Sequence, residues 1–130
     1  MNTKKQNYVV GGHSLGGAMA TRYANNIKNR HLKGIFFLGA YADEKGNLSN
    51  KNISALSIVA SRDGVLNWDK YKANKKYLPA DTKFEIIKGG NHGGFGSYGP
   101  QKGDRTATIS NRMQQNMIAK RLIAWLNSIN

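Results

Sequence analysis

A chain of 130 residues is the size of one ordinary domain and can bury roughly two thirds of the surface that its unfolded form exposes. With 39% hydrophobic and 21% charged residues it is too apolar for a disordered tail, and 15 glycines against 2 prolines, without a three-residue period, exclude a collagen-like fibre. The lack of cysteine removes disulfides, thiolate nucleophiles and cysteine-based zinc sites, while 20 Lys+Arg against 7 Asp+Glu leave a formal charge of +13 that attracts polyanions at long range.

That charge is scattered, from Lys4, Lys5, Lys28, Arg30 and Lys33 through Lys70 to Lys76 and on to Lys120 and Arg121, with no basic run longer than two. Scattered lysines describe a solvated surface, so no dedicated nucleic-acid site is expected. No apolar run approaches 18 residues, and Met1 to Asn7 is polar with no signal-peptide core behind it. The chain as it stands is expected to be cytoplasmic.

In chain order, Tyr8-Val9-Val10 is a short apolar, β-branched run that predicts a buried strand ending at Gly11-Gly12. Helical spacing follows. Leu15, Met19, Tyr23 and Ile27 recur every four residues, among the helix-favouring Ala18, Ala20 and Ala24, as far as Asn29-Arg30. Gly34 to Leu38 and Ala55 to Ala60 are apolar runs suited to strands covered on both faces, separated by a polar surface loop from Asp43 to Asn52. A short helix is predicted over Trp68 to Tyr77, before Pro79, and a fourth strand over Phe84 to Ile87. Ser110 can cap a final helix whose apolar stripe is Met113, Met117, Ile118, Leu122, Trp125, Leu126 and Ile129. Strands alternating with long crossovers predict a parallel α/β sheet of about four strands in one domain over residues 1–130.

Gly12-His13-Ser14-Leu15-Gly16 matches G-x-S-x-G between a strand and a helix, where a tight turn can present a serine hydroxyl at a strand's carboxyl end. Glycines at 12 and 16 are expected to remove β-carbons where strand and helix crowd each other. A serine needs a base, and the base needs an orienting partner. His13 adjoins the serine and should point away from it, and His31 follows the first helix at the wrong end of the sheet; both read as structural or solvated. His92, in Gly89-Gly90-Asn91-His92-Gly93-Gly94 after the last strand, fits the base. Asp63, in Ser61-Arg62-Asp63-Gly64 after the third strand, fits the acid better than Asp43, Asp69, Asp81 or Asp104, the last of which lies in a long loop.

The order Ser14, Asp63, His92 is that of an α/β-hydrolase triad. In Val9 to Gly17, Ser61 to Gly64 and Gly89 to His92 the chain resembles the carboxyl-terminal half of the α/β-hydrolase superfamily, most closely the small bacterial dienelactone-hydrolase-like serine hydrolases. The resemblance runs from about Tyr8 to the final helix. It implies a three-layer α/β sandwich, Ser14 as nucleophile, His92 as general base then acid, Asp63 as its orienter, the Leu15 backbone N–H as one oxyanion donor, and no cofactor or metal. The substrate implied is a small ester or other acyl compound. Such hydrolases have several strands before the nucleophile, whereas seven residues precede Tyr8 here. The chain is therefore expected to be a fragment with weakened activity. Its first strand should be an exposed edge, so that it forms a homodimer or depends on a missing N-terminal half. Fuller relatives can carry a membrane anchor, which makes an extracytoplasmic location the alternative. A non-catalytic fragment serving as a binding or assembly module is the competing function.

The glycine-rich loop Gly89 to Gly99 does not open into a helix, which weighs against a phosphate cradle. It reads instead as the loop that sets His92 against Ser14, with Phe95, Tyr98 and Trp68 as either apolar walls or plain packing residues.

Overall fold

The computed structural model describes residues 6–28, 30–96 and 99–129. Strands and helices alternate as β1 (Tyr8–His13), α1 (Leu15–Asn26), β2 (Leu32–Leu38), β3 (Ser54–Ala60), α2 (Trp68–Ala73), β4 (Lys83–Ile87) and α3 (Asn111–Ser128). The four strands are parallel and lie in the order β1-β2-β3-β4, so every strand's carboxyl end reaches the same edge. This is the α/β architecture expected from the resemblance.

Side-chain alternation along β2 divides the core into two layers. Ile35 and Phe37 pack on the α1 side with Ala20, Ala24 and Leu48. Phe36 faces the opposite layer, with Leu56, Ile58, Ile118 and Trp125 beneath α3. Trp125, 1% exposed, can be buried because its indole N–H donates to Ser54 Oγ at 2.9 Å. Gly34 makes room for it, since a β-carbon there would come within 2.7 Å of the indole. A third cluster, Val59, Leu66 and Tyr71, seats α2 on the α1 side of the sheet. Ser110 caps α3, its hydroxyl accepting from the Met113 N–H at 3.0 Å.

On four points the structure departs from the sequence reading or sharpens it. First, β1 does not stop at Gly11-Gly12 but continues to His13, because Gly11, Gly12 and His13 go on pairing with Phe36, Phe37 and Leu38 of β2, and Gly11 leaves room for the Phe36 ring, which a β-carbon would meet at 2.3 Å. Second, the Leu15-Met19-Tyr23 stripe of α1 faces outward, at 82%, 63% and 44% exposure, while Gly17, Ala20, Thr21 and Ala24 face the sheet. Small residues let the helix lie close, and a β-carbon on Gly17 would fall 2.5 Å from that of Ala40. Third, the segment after Trp68 divides into α2 and a 3-10 turn, Asn74–Tyr77. Fourth, Met113 stands out of the α3 stripe at 52% exposure. Among the described residues no helix is long and apolar enough to cross a membrane.

Candidate active site

Ser14 occupies the single residue between β1 and α1, with φ 57° and ψ −123°. It is the one positive-φ non-glycine residue among those described, a conformation that neighbouring structure must hold against its intrinsic cost. The constraint comes from both sides. Its N–H donates to the Leu38 carbonyl of β2 at 3.2 Å, and its carbonyl accepts from Gly17 N–H at 3.0 Å. Gly12 is required, because a β-carbon would lie 2.2 Å from the Gly16 carbonyl group. Gly16 is not required in the same sense: its own β-carbon would enter open space, so the crowding expected at both glycines is carried by Gly12 and by Gly17. Leu15 follows as the first residue of α1, where backbone N–H groups have no acceptor within the helix.

Asp63 lies just beyond β3 and is fully buried. One carboxylate oxygen accepts from Val65 N–H at 2.9 Å and Leu66 N–H at 2.8 Å, and the other meets His92 Nδ1 at 2.7 Å. Trp68 braces the same loop by donating its indole N–H to the Asp63 carbonyl at 2.9 Å. The desolvated carboxylate is thus fully partnered, as burial demands. Gly39, at φ +58°, passes directly in front of it: a β-carbon there would sit 3.3 Å from the Asp63 carboxylate and 3.0 Å from the Phe95 ring.

His92 follows β4 and is 4% exposed. With Nδ1 turned to a carboxylate, a neutral ring carries its proton there and leaves Nε2 as a proton acceptor. The His13 ring lies against the His92 ring, centroids 4.6 Å apart, and also against Phe95 at 5.5 Å. Thus His13 supports the imidazole of His92. Burial first, and then the electrostatic influence of the adjacent His92, lower the pKa of His13 against the opposing pull of Asp63 and favour its neutral form.

Ser14 and His92 open onto one cavity of about 350 Å³, walled also by Leu15, Ala18, Tyr41, Val65 and Leu66. Val65 and Leu66 are the residues whose N–H groups hold Asp63, so the Asp63 loop is also a wall of the cavity. Among the described residues no group of three or more His, Asp or Glu side chains converges as a metal site.

The competing residues lie elsewhere. His31 stands at the start of β2, its Nδ1 3.1 Å from Asn7 Oδ1. Asp43 pairs with Arg22 at 2.5 Å, and Asp69 belongs to the first turn of α2. Tyr98 lies outside the described residues. Asp104 is the exception: although remote in sequence, its carboxylate accepts from the backbone N–H groups of Gly64, His92 and Gly93, beside both Asp63 and His92. Sequence reading also missed Gln114 of α3, fully buried and hydrogen-bonded to both backbone groups of Asn91. No periodic pattern or motif marks either residue.

Among curated proteins none matches the chain. A family model described as the alpha/beta hydrolase family matches residues 1–116, a span that takes in all four parallel strands together with Ser14, Asp63 and His92. With that match over most of its length and with this sheet, the chain belongs to the alpha/beta hydrolase family.

Proposed function

We propose that the protein is a serine hydrolase that cleaves a carboxylic ester or related acyl bond through an acyl-enzyme. The observation that carries this reading is the buried Asp63–His92 hydrogen bond at 2.7 Å, set beside the cavity that Ser14 also lines. His92 Nε2 takes the Ser14 proton as Oγ attacks the acyl carbon, and Asp63 stabilises the imidazolium that forms. The tetrahedral oxyanion is met by the Leu15 backbone N–H at the start of α1. As that intermediate collapses, the imidazolium gives its proton to the leaving alkoxide. Water then attacks the acyl-enzyme, with His92 again as base, and releases the acid and free Ser14.

The cavity supports a substrate class as well. Besides Ser14, His92 and the polar Asn67, its wall is Leu15, Ala18, Gly39, Ala40, Tyr41, Val65 and Leu66, and it contains no Lys or Arg. A neutral, apolar acyl or alcohol group suits such a wall better than a carboxylate-bearing one. Labelling with a fluorophosphonate probe, followed by esters of graded acyl length, tests the proposal: covalent modification at Ser14 is expected, and a folded protein that neither labels nor turns over esters would overturn it.

A second reading, a binding or assembly module, is favoured by one observation. Among the described residues β1 pairs only with β2, and the helix beside it carries the exposed Leu15, Met19 and Tyr23. Sheet edges and apolar faces of this kind favour pairing. We propose that this side meets a second copy of the chain, a contact compatible with catalysis at the strand ends.

A further inference from the structure

We propose that Asp104 and Gln114 are positioning residues for His92, gripping the loop that carries the base from two sides and locking it to the loop that carries the acid. Asp104 works across the two loops. One of its carboxylate oxygens accepts from Gly64 N–H at 3.0 Å, next to Asp63, and from the N–H of His92 itself at 3.2 Å. That oxygen also takes the Arg105 N–H at 2.9 Å, while the other accepts from Gly93 N–H at 2.9 Å. A single carboxylate therefore fixes the spacing between the backbone beside Asp63 and the backbone of His92.

Gln114 works from beneath, out of α3. Its side chain is fully buried, and its amide forms a matched pair with the backbone of one residue: Oε1 accepts from Asn91 N–H at 3.1 Å and Nε2 donates to the Asn91 carbonyl at 2.8 Å. Both bonds go to the residue that precedes His92. The glycines of the loop are shaped to this contact. A β-carbon at Gly94 would fall 1.9 Å from Gln114 Oε1, and one at Gly90 would fall 2.7 Å from it. The glycine-rich segment is thus a socket for a glutamine. An amide enclosed in a helix–loop contact is favourable only when its donors and acceptors are met, and an apolar side chain of equal volume would fill the space without that demand. What the amide adds is a definite position for the Asn91 backbone, hence for the imidazole one residue on.

The kinetic part of this inference rests on the hydrolase reading; the geometric part does not. The test compares wild type with Asp104→Asn, at a half-buried residue of a largely exposed loop, and Gln114→Met, which keeps volume and removes both hydrogen bonds. Melting temperature, kcat and KM for an acyl ester would be measured, with the downfield proton resonance of the His92 Nδ1–H bonded to Asp63. A displaced base loses turnover more than binding, so kcat should fall by roughly 10- to 100-fold with KM within about twofold, in a folded protein. The resonance should broaden or vanish. A purely structural role would lower the melting temperature and leave both the resonance and the kcat of the folded fraction unchanged, and that result would overturn the inference. If Gln114→Met does not fold, Asp104→Asn decides. If wild type shows the resonance but no turnover or probe labelling, the hydrolase reading falls and the resonance in the variants alone decides the positioning roles. A wild-type spectrum without it would overturn them too, since no bond would be held.

Discussion

His92 presents Nδ1 to an Asp63 carboxylate that is itself held by two backbone N–H groups from its own loop, Val65 and Leu66. The Asp63 carboxylate is therefore held by its own loop independently of His92. Replacing it by Asp63→Asn keeps the size but allows the amide to donate to His92 and trap the wrong tautomer. Turnover is expected to fall by roughly 10³- to 10⁴-fold, by comparison with the same change in a serine protease. Asp69→Asn, in α2, should leave turnover at the wild-type rate. Steady-state kinetics of both variants in one buffer checks the contrast.

At Ser14 the hydroxyl and the backbone can be tested separately. Ser14→Ala should abolish probe labelling without altering stability much. Ser14→Gly should abolish labelling and also relieve the φ of 57°, a strain of order 1–3 kcal/mol for a non-glycine residue, partly offset by glycine's larger unfolded-state freedom. Urea denaturation should find Ser14→Gly more stable than Ser14→Ala by about 1 kcal/mol. Equal midpoints would mean that the turn is not strained.

Gly39→Ala should damage both stability and turnover. Its φ of +58° disfavours any β-carbon, and the new atom would press on the Asp63 carboxylate and Phe95. A loss above about 1 kcal/mol is expected, together with lower kcat, from denaturation and kinetics on the same preparation.

Acid sensitivity should depend on Asp104. Burial alone would raise its pKa, but N–H donors from Gly64, Gly93, His92 and Arg105 outweigh that and hold it below the ordinary carboxylate value of 3.8. Ionised Asp104 therefore stabilises the folded form throughout the range above 3.8, and the contribution disappears as pH falls through the lower, folded value. Asp43 is also held low, chiefly by the Lys45 N–H and further by Arg22. Asp104→Asn should thus flatten the acid limb of a melting-temperature-against-pH curve without abolishing it. An unchanged limb would refute the assignment.

Self-association can be read from light scattering over a concentration series. Met19→Lys, on the exposed stripe of α1, should shift the chain toward monomer and leave probe labelling intact. A monomer at every concentration in the parent protein would exclude the proposed copy-to-copy contact.

The candidate triad was legible because each member lies a few residues beyond an apolar run, and a parallel sheet brings the ends of such runs to one edge. Gly12-His13-Ser14-Leu15-Gly16 added a backbone signature on top of that. The inward face of α1 was not legible, because Gly17, Ala20 and Ala24 contact the sheet through their small size, while the larger Leu15 and Met19 dominate any count of hydrophobicity. Asp104 and Gln114 escaped for another reason. Apart from the adjacent Arg105 N–H, their partners are backbone groups 11 to 40 and 23 residues away, and a hydrogen bond to a main-chain group demands no particular residue at the other end.

Of the chain's two tryptophans, Trp125 is sealed beneath the sheet, whereas Trp68 is half-buried with its indole tethered to the Asp63 carbonyl. The protein consequently contains two optical reporters at different depths. Emission from Trp125 follows the integrity of the whole fold, and emission from Trp68 follows the acid's loop. Any event that loosens that loop while the core stays intact, such as substrate entry past Val65 and Leu66, will register in the second fluorophore without a matching change in the first.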